Sequence, residues 1–302
     1  MRRMLAVVLS LAAAQVAVAQ MPGKPAWEVA SVKVNQSCGG RGRGMSAPPS
    51  PGRLNMECNT LENLIMTAYV VFQNGSTPTM KRTPITGGPA WIHSEQYAIN
   101  AKAEGAAPVA QMLGPMLQSL LEDRFKLKIH HEAKEGSVYV MTVAKGGSKL
   151  QPTPEGSCTP LDMNHLPAVS PGQPLPNICG NQQIRMVNGK SVTMKGTGLS
   201  MADWTGGMLS DLIGRPVIDK TGLQGKFDIE MEMAPDSSMP MFQGMASRGG
   251  RGDGDAGAVP SAADPDGPTI FMALAKLGLK LESAKGPVDT LVIDHVEKPA
   301  EN

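Results

Sequence analysis

The residue types able to do chemistry in this chain are few and scattered. Its histidines are His93, His130, His131, His165 and His295. His130-His131-Glu132 does not meet the H-E-x-x-H zinc-protease pattern, which needs two histidines four apart on one helical face. In a strand, adjacent side chains turn to opposite faces, so this pair diverges. Asp294 and His295 diverge in the same way and cannot act as orienting acid and base of one triad. The chain has no G-x-S-x-G elbow, phosphate-binding loop or dinucleotide fingerprint followed by a helix. An extracellular hydrolase or carbohydrate-acting enzyme with a dispersed site stays open as an alternative.

The four cysteines fall in two local sets, Cys38 with Cys58 and Cys158 with Cys179, each bracketing a Gly/Pro-rich stretch poor in apolar residues. Such stretches need cross-links to order them, which predicts two local disulfides. A four-cysteine zinc site is the rival reading, but no C-x-x-C pair is present. The segment Lys220-Thr221-Gly222-Leu223-Gln224-Gly225-Lys226 is a Gly-bounded turn with two cations. Lys220, Gly222, Gly225 and Lys226 could hold an anion or a partner loop there, and a plain connecting turn is the other reading. Met239, Met241 and Met245 are a local thioether group that copper would require. Arg248-Gly249-Gly250-Arg251-Gly252 lacks the interleaved aromatics of an RNA-binding surface, and Arg251-Gly252-Asp253 arises readily in a Gly/Asp-rich loop. No metal or cofactor is expected.

These residues sit in a chain of 302 residues with 34 Gly, 25 Pro and 21 Met, 41% hydrophobic and 18% charged. That composition excludes a disordered chain and a small disulfide scaffold. Arg2 and Arg3, an apolar run from Met4 to Val18 and Ala17-Val18-Ala19 read as a signal peptide over 1–19. The apolar run is shorter than the ~20 residues a spanning helix needs. Without the leader, 26 basic residues face 27 acidic ones, a net −1 against +1 for the whole chain. No single-sign field therefore draws it to nucleic acid or an anionic membrane. Export to an oxidising periplasmic or extracellular setting makes the cysteine pairing chemically sensible.

The elements that would position these residues follow from periodicity. Trp27 to Val34 is a strand. Asn59-Thr60-Leu61-Glu62 opens a helix that buries Leu61, Leu64, Ile65, Ala68 and Tyr69. A strand with Tyr97, Ile99, Ala101 and Ala103 on one face precedes a helix through Met112, Leu113, Met116, Leu117, Leu120 and Leu121. Strands around Ile129 and from Val138 to Ala144 are expected as a pair about a turn at Gly136. Asn188-Gly189 marks a hairpin, and Ser200 with Asp203 opens a helix through Trp204, Leu209 and Leu212 that Gly206-Gly207 weakens. Phe227 to Met233 is a half-wet strand, 234–268 a mobile loop, and Ile270 to Leu277 a short helix. Leu279 to Leu281 and Val288 to Val296 form a closing strand pair.

The halves repeat each other. Helix, Gly88-Pro89 and Tyr97-Ala98-Ile99 in the first match helix, Arg215-Pro216-Val217 and Phe227-Asp228-Ile229 in the second, and Phe125-Lys126-Leu127-Lys128 matches Leu279-Lys280-Leu281-Glu282. This predicts an α+β fold of two duplicated units, each helix-strand-strand-helix-strand-strand, with helices on small mixed or antiparallel sheets. The units span 20–150 and 183–302, joined by a disulfide-bracketed linker over 151–182.

Trp27-Glu28-Val29-Ala30-Ser31-Val32-Lys33, Gly87-Gly88-Pro89-Ala90-Trp91-Ile92, Leu120-Leu121-Glu122-Asp123-Arg124-Phe125 and Gly214-Arg215-Pro216-Val217-Ile218-Asp219-Lys220-Thr221-Gly222-Leu223 carry a resemblance. So do Lys285-Gly286-Pro287-Val288 and Val292-Ile293-Asp294-His295-Val296-Glu297. With them the chain resembles a soil-associated, acidobacterial-type family of secreted proteins with no established activity, which implies export and a shared fold. Some relatives look fused to BlaR-type sensor metallopeptidases, but this sequence carries no corresponding zinc or membrane segment. Departures are Trp27 where Phe is usual, Gly206-Gly207 within a helix and the long loop after Met233. The spacing from Met201 to Val296 is also similar to the short N-terminal domain of secretins and TonB-dependent receptors. The expected function is an exported, non-catalytic interaction or sensing module of the cell envelope. Its partner would be an envelope or secreted protein met through strand edges and turns, with neither nucleic acid nor a membrane span involved.

Overall fold

A computed structural model describes residues 27–38, 50–75, 78, 83–165, 176–187, 191–234 and 269–300. The expected leader over 1–19, the Asn188-Gly189 turn, the Arg248–Gly252 run and the Met239, Met241 and Met245 group lie outside them. So does the 234–268 loop apart from Ala234, which is buried.

The first half begins with β1 (Trp27–Val34) and β2 (Arg53–Thr60). Thr60 accepts a hydrogen bond from the Asn63 amide at 3.2 Å and so caps α1 (Leu61–Ile65), which continues as a π-helical stretch over Met66–Val71. β3 (Ile85–Gly87), a 3₁₀ turn (Ala90–His93) and β4 (Gln96–Ala103) follow. Next come α2 (Val109–Gln111), a π stretch (Met112–Met116), α3 (Leu117–Arg124) and β5 (Lys128–Val143). The second half has β6 (Gln151–Pro152), β7 (Gln182–Val187) and β8 (Ser191–Leu199). Ser200 caps α4 (Met201–Trp204), which runs through a π stretch (Thr205–Leu209) into α5 (Ser210–Ile213). β9 (Val217–Asp219), β10 (Phe227–Met233), α6 (Ile270–Lys276) and β11 (Leu279–His295) complete the fold, which is α+β.

The strands form three sheets, ordered β1-β4-β2, β6-β10-β8-β7 and β3-β11-β5-β9. In the third, β5 and β11 pair antiparallel from Leu279 opposite Val143 to Ile293 opposite Ile129. This corrects the expected strand pairs: β5 and β11 are single strands of 16 and 17 residues, paired with each other. Gly136 makes no turn. It faces Gly286 across the ladder, where an added Cβ at either position would lie within 3.0 Å of Val288 or Ile218 side-chain atoms. Glycine here serves close packing at the ribbon centre rather than chain reversal. The short outer strands pair parallel, β3 with β11 and β9 with β5.

Two hydrophobic cores result, and the ribbon closes both. Leu127 and Ile129 of the first half join Leu291 and Ile293 of the second in a core with Leu64, Ile99, Leu117 and Phe125. Met141 and Val143 join Leu279 and Leu281 in a core with Trp204, Leu209, Ile229 and Leu274. Register explains this. Opposed residues of an antiparallel pair share a face, so the odd-numbered residues of both strands are sorted to one side.

After α3 the chain turns through Lys126 at φ 51°, a left-handed C-cap in which Phe125 and Leu127 amides both donate to the Leu121 carbonyl. Glycine adopts this conformation without the Cβ penalty. Lys126→Gly should raise stability by about 0.5–1 kcal/mol after allowing for the freer unfolded chain. The lost contact with Asp123, 4.0 Å and solvent-exposed, offsets little of that. A lower urea midpoint for the variant would contradict this assignment.

Candidate functional site

A concavity of about 690 Å³ lies where the two halves meet. Its size falls in the range of small-ligand sites. The first half contributes Glu62 and Met66 from α1 and its π continuation, and Thr83, Pro84 and Ile85 at the entry to β3. The second contributes Gly206, Ser210 and Asp211, the Gly214–Ile218 segment, and Pro287, Val288 and Asp289 of β11. Two sequence features shape it. Helices bulge where glycine offers little resistance, and Gly207 carries a non-helical backbone (φ −103°, ψ −112°) that widens the turn ahead of Ser210. Gly214 at φ 71° then ends α5 and turns the chain into β9.

The apolar floor of Met66, Pro84, Ile85, Val217, Ile218 and Val288 is rimmed by Glu62, Asp211, Asp289 and Arg215. Arg215 is exposed and lies 5.6 Å over the Tyr139 ring, which meets Phe271 edge-on at 5.8 Å. Two rim carboxylates are shared with imidazoles: Glu62 lies 3.0 Å from His93 Nδ1 and Asp289 lies 3.3 Å from His131 Nδ1. Ser210 is committed to backbone. Its Oγ donates to the Thr205 carbonyl and accepts from the Val217 amide at 3.0 Å, tying α5 to β9. The proton of that hydroxyl is thereby directed to a backbone carbonyl.

The histidines do not converge. His130 meets Asp294 at 2.9 Å, His165 meets Asp162 at 2.8 Å and His295 meets Glu297 at 2.8 Å, each at the surface. Asp294 and His295 thus turn to different partners. Hydrogen bonding from His165 and the Asn164 amide holds the Asp162 carboxyl below its ordinary value. Among the described residues no group of three or more His, Cys, Asp or Glu could hold a metal ion.

The four cysteines lie as two bonded pairs, Cys38 with Cys58 and Cys158 with Cys179, outside the groove. The Lys220–Lys226 turn leaves β9 and closes on itself. Asp219 Oδ1 accepts from the amide and hydroxyl of Thr221, whose Oγ1 in turn accepts from the Leu223 amide. Gly222 (φ 70°) and Gly225 (φ 98°) face open space, and the Lys220 and Lys226 side chains are exposed. A second, more polar hollow of about 660 Å³ holds Glu95 against Lys298, with the Tyr97 hydroxyl donating to Glu95 at 3.0 Å. Burial, then that carboxylate, push the Tyr97 hydroxyl pKa well above its usual value.

Arg215, Ser210, Asp211, Glu62 and Asp289 were not singled out as site residues from sequence. Arg215-Pro216-Val217 stands out in an internal match and in the family resemblance, without a site role, and nothing in the spacing of 62, 211, 215 and 289 announces that they meet.

A family model described only as a protein of unknown function matches residues 62–296. Comparison with curated proteins gives no match, and neither does comparison with solved structures.

Proposed function

The chain belongs to the DUF3738 family of proteins of unknown function, and on that premise we propose from its own geometry that it is an exported, non-catalytic module that binds a ligand in the junction groove. The observation that carries this reading is a ligand-sized hollow lined by two hydroxyl residues, of which Ser210 is spent on holding α5 to β9 and Thr83 is buried. Two bonded cysteine pairs support residence in an oxidising compartment, and no described helix is long and apolar enough to cross a membrane. The reading extends to internal duplication. Its support is that each half runs strand, helix, short strand, strand, helix, long strand, and that each short strand lies parallel to the long strand of the other half. The groove then falls where the two repeats embrace.

Val288→Trp should test this, because a bulky side chain there fills the groove from β11 without touching either core. Envelope-derived peptides, lipids and glycan fragments would be screened by thermal shift against both proteins. A binder should raise the melting temperature of the parent by several degrees at saturating concentration and leave Val288→Trp unchanged. Turnover of a chromogenic ester or glycoside that disappears in Ser210→Ala, or a binder indifferent to Val288→Trp, would overturn the proposal.

A further inference from the structure

We propose that the outer edge of β1 is a docking site for an extended strand of another polypeptide, one carrying an acidic residue opposite Lys33 and an apolar residue opposite Val29. Among the described residues, the order β1-β4-β2 leaves β1 with a partner on one side only. Asn35 donates inward to the Gln96 carbonyl at 2.8 Å, in phase with Val34 opposite Tyr97 and Ala30 opposite Ala101. Antiparallel alternation therefore turns the main-chain groups of Ala30, Val32 and Val34 outward. One contact agrees with this: Arg124 Nη2 reaches the outward Ala30 carbonyl at 3.3 Å, a long bond occupying the place of a partner N–H.

Beside this edge runs a cleft of about 430 Å³ between β1 and α3, lined by Trp27, Val29, Ala30, Leu120, Asp123 and Arg124. An exposed strand edge next to a helix is the arrangement into which peptides add as an extra strand. Of the five other edges among the described strands, β7 (Gln182–Val187) is open over six residues and four are less suited. β3, β6 and β9 have three, two and three residues, and β2 is bulged between Met56 and Asn59 with Cys58 at φ 56°. Bulges and short length are devices that block pairing. β1 has eight residues without Gly or Pro, irregular only at its start between Trp27 and Val29.

Charge selects the partner. Glu28 is held by Lys102 at 2.7 Å, and Asp123 by Arg124 at 3.3 Å. Lys33 is exposed with no ion-pair partner among the described residues. Its side chain shares a face with Ser31 and with Val29, which is 62% exposed. An added antiparallel strand would place residues at spacing two against Lys33, Ser31 and Val29, so acidic, small and apolar is the complementary order.

The probe is an acetylated, amidated seven-residue threonine peptide with glutamate second and valine sixth, titrated into the folded protein and followed by amide NMR. Saturable shifts should centre on the Ala30, Val32 and Val34 amides. Lys33→Glu, an exposed change whose folding is checked by its melting curve, should weaken binding by roughly threefold to tenfold. The same peptide with lysine second should recover that loss. Shifts absent from β1, or indifference to the charge swap, would overturn the proposal, as would concentration-dependent β1 shifts without peptide, which would make the occupant a second copy of the chain. Any of these failures leaves the junction groove untouched, because Val288→Trp reads a different surface.

Discussion

Gly114→Ala should yield protein that does not fold at 37 °C. Gly114 sits in the π stretch Met112–Met116 with φ −104° and ψ −107°, a backbone the following Pro115 helps impose by disfavouring a helical residue before it. A Cβ there would lie 1.9 Å from the Phe72 carbonyl oxygen and 3.1 Å from the Gly75 amide nitrogen. That oxygen cannot step aside, because it accepts the Gly75 amide at 2.8 Å in the turn that ends the π continuation of α1. Both obstacles are backbone, so relief requires the two helical segments to separate. Met112 and Leu113, buried in the first core beside Phe72, would lose their packing together. A cost above about 4 kcal/mol is expected, against a total stability on the order of 5–15 kcal/mol. Circular dichroism on freshly refolded material reads the outcome directly, and a melting temperature within a few degrees of the parent would show that the two segments are not locked at this point.

Loss of both disulfides should be nearly as severe. The Cys38–Cys58 and Cys158–Cys179 bonds join residues 20 and 21 apart in sequence. By the loop-entropy model each closure contributes about 3 kcal/mol. The second bond anchors an irregular stretch to the sheet. Gly198 passes so close that an added Cβ would lie 2.8 Å from Cys158 Sγ, and its amide donates to Asp228, which also accepts the Thr153 hydroxyl. Urea titrations of Cys158→Ser/Cys179→Ser, Cys38→Ser/Cys58→Ser and the quadruple variant should show losses that roughly add, since the bonds serve separate cores. Equal midpoints with and without a reductant would refute a structural role for them.

Local signals in the sequence translated well into elements. The Ser200 cap, the first helix start to within one residue (Thr60 caps where Asn59 with Glu62 three on was the signal), the alternation in β4 and β10, and the buried faces of the helical segments were legible, because each depends on neighbours within a turn or a pleat. The ribbon was not. Gly136 and Gly286 look like turn residues when read locally, and only their opposition across 150 positions reveals a packing role. The kink at Gly114-Pro115 carried a plain signal that helical periodicity on either side obscured. The groove was invisible for a related reason. Glu62, Arg215 and Asp289 come from three distant segments, and their meeting depends on β3 and β9 each crossing to the opposite half.

That crossing has a consequence for biogenesis. β5 ends at Val143, whereas its partner β11 begins at Leu279, so the longest ladder among the described residues joins segments far apart in the chain. Contacts of such high sequence separation form late. As the chain is made, the β11 edge of β5 would wait unpaired while more than a hundred residues follow it. Its charge-rich first stretch, Lys128 to Glu135, is suited to that interval, since charges on an unpaired strand discourage indiscriminate aggregation. Only the arrival of β11 closes both cores at once, which makes its pairing with β5 the event that commits these segments to their fold.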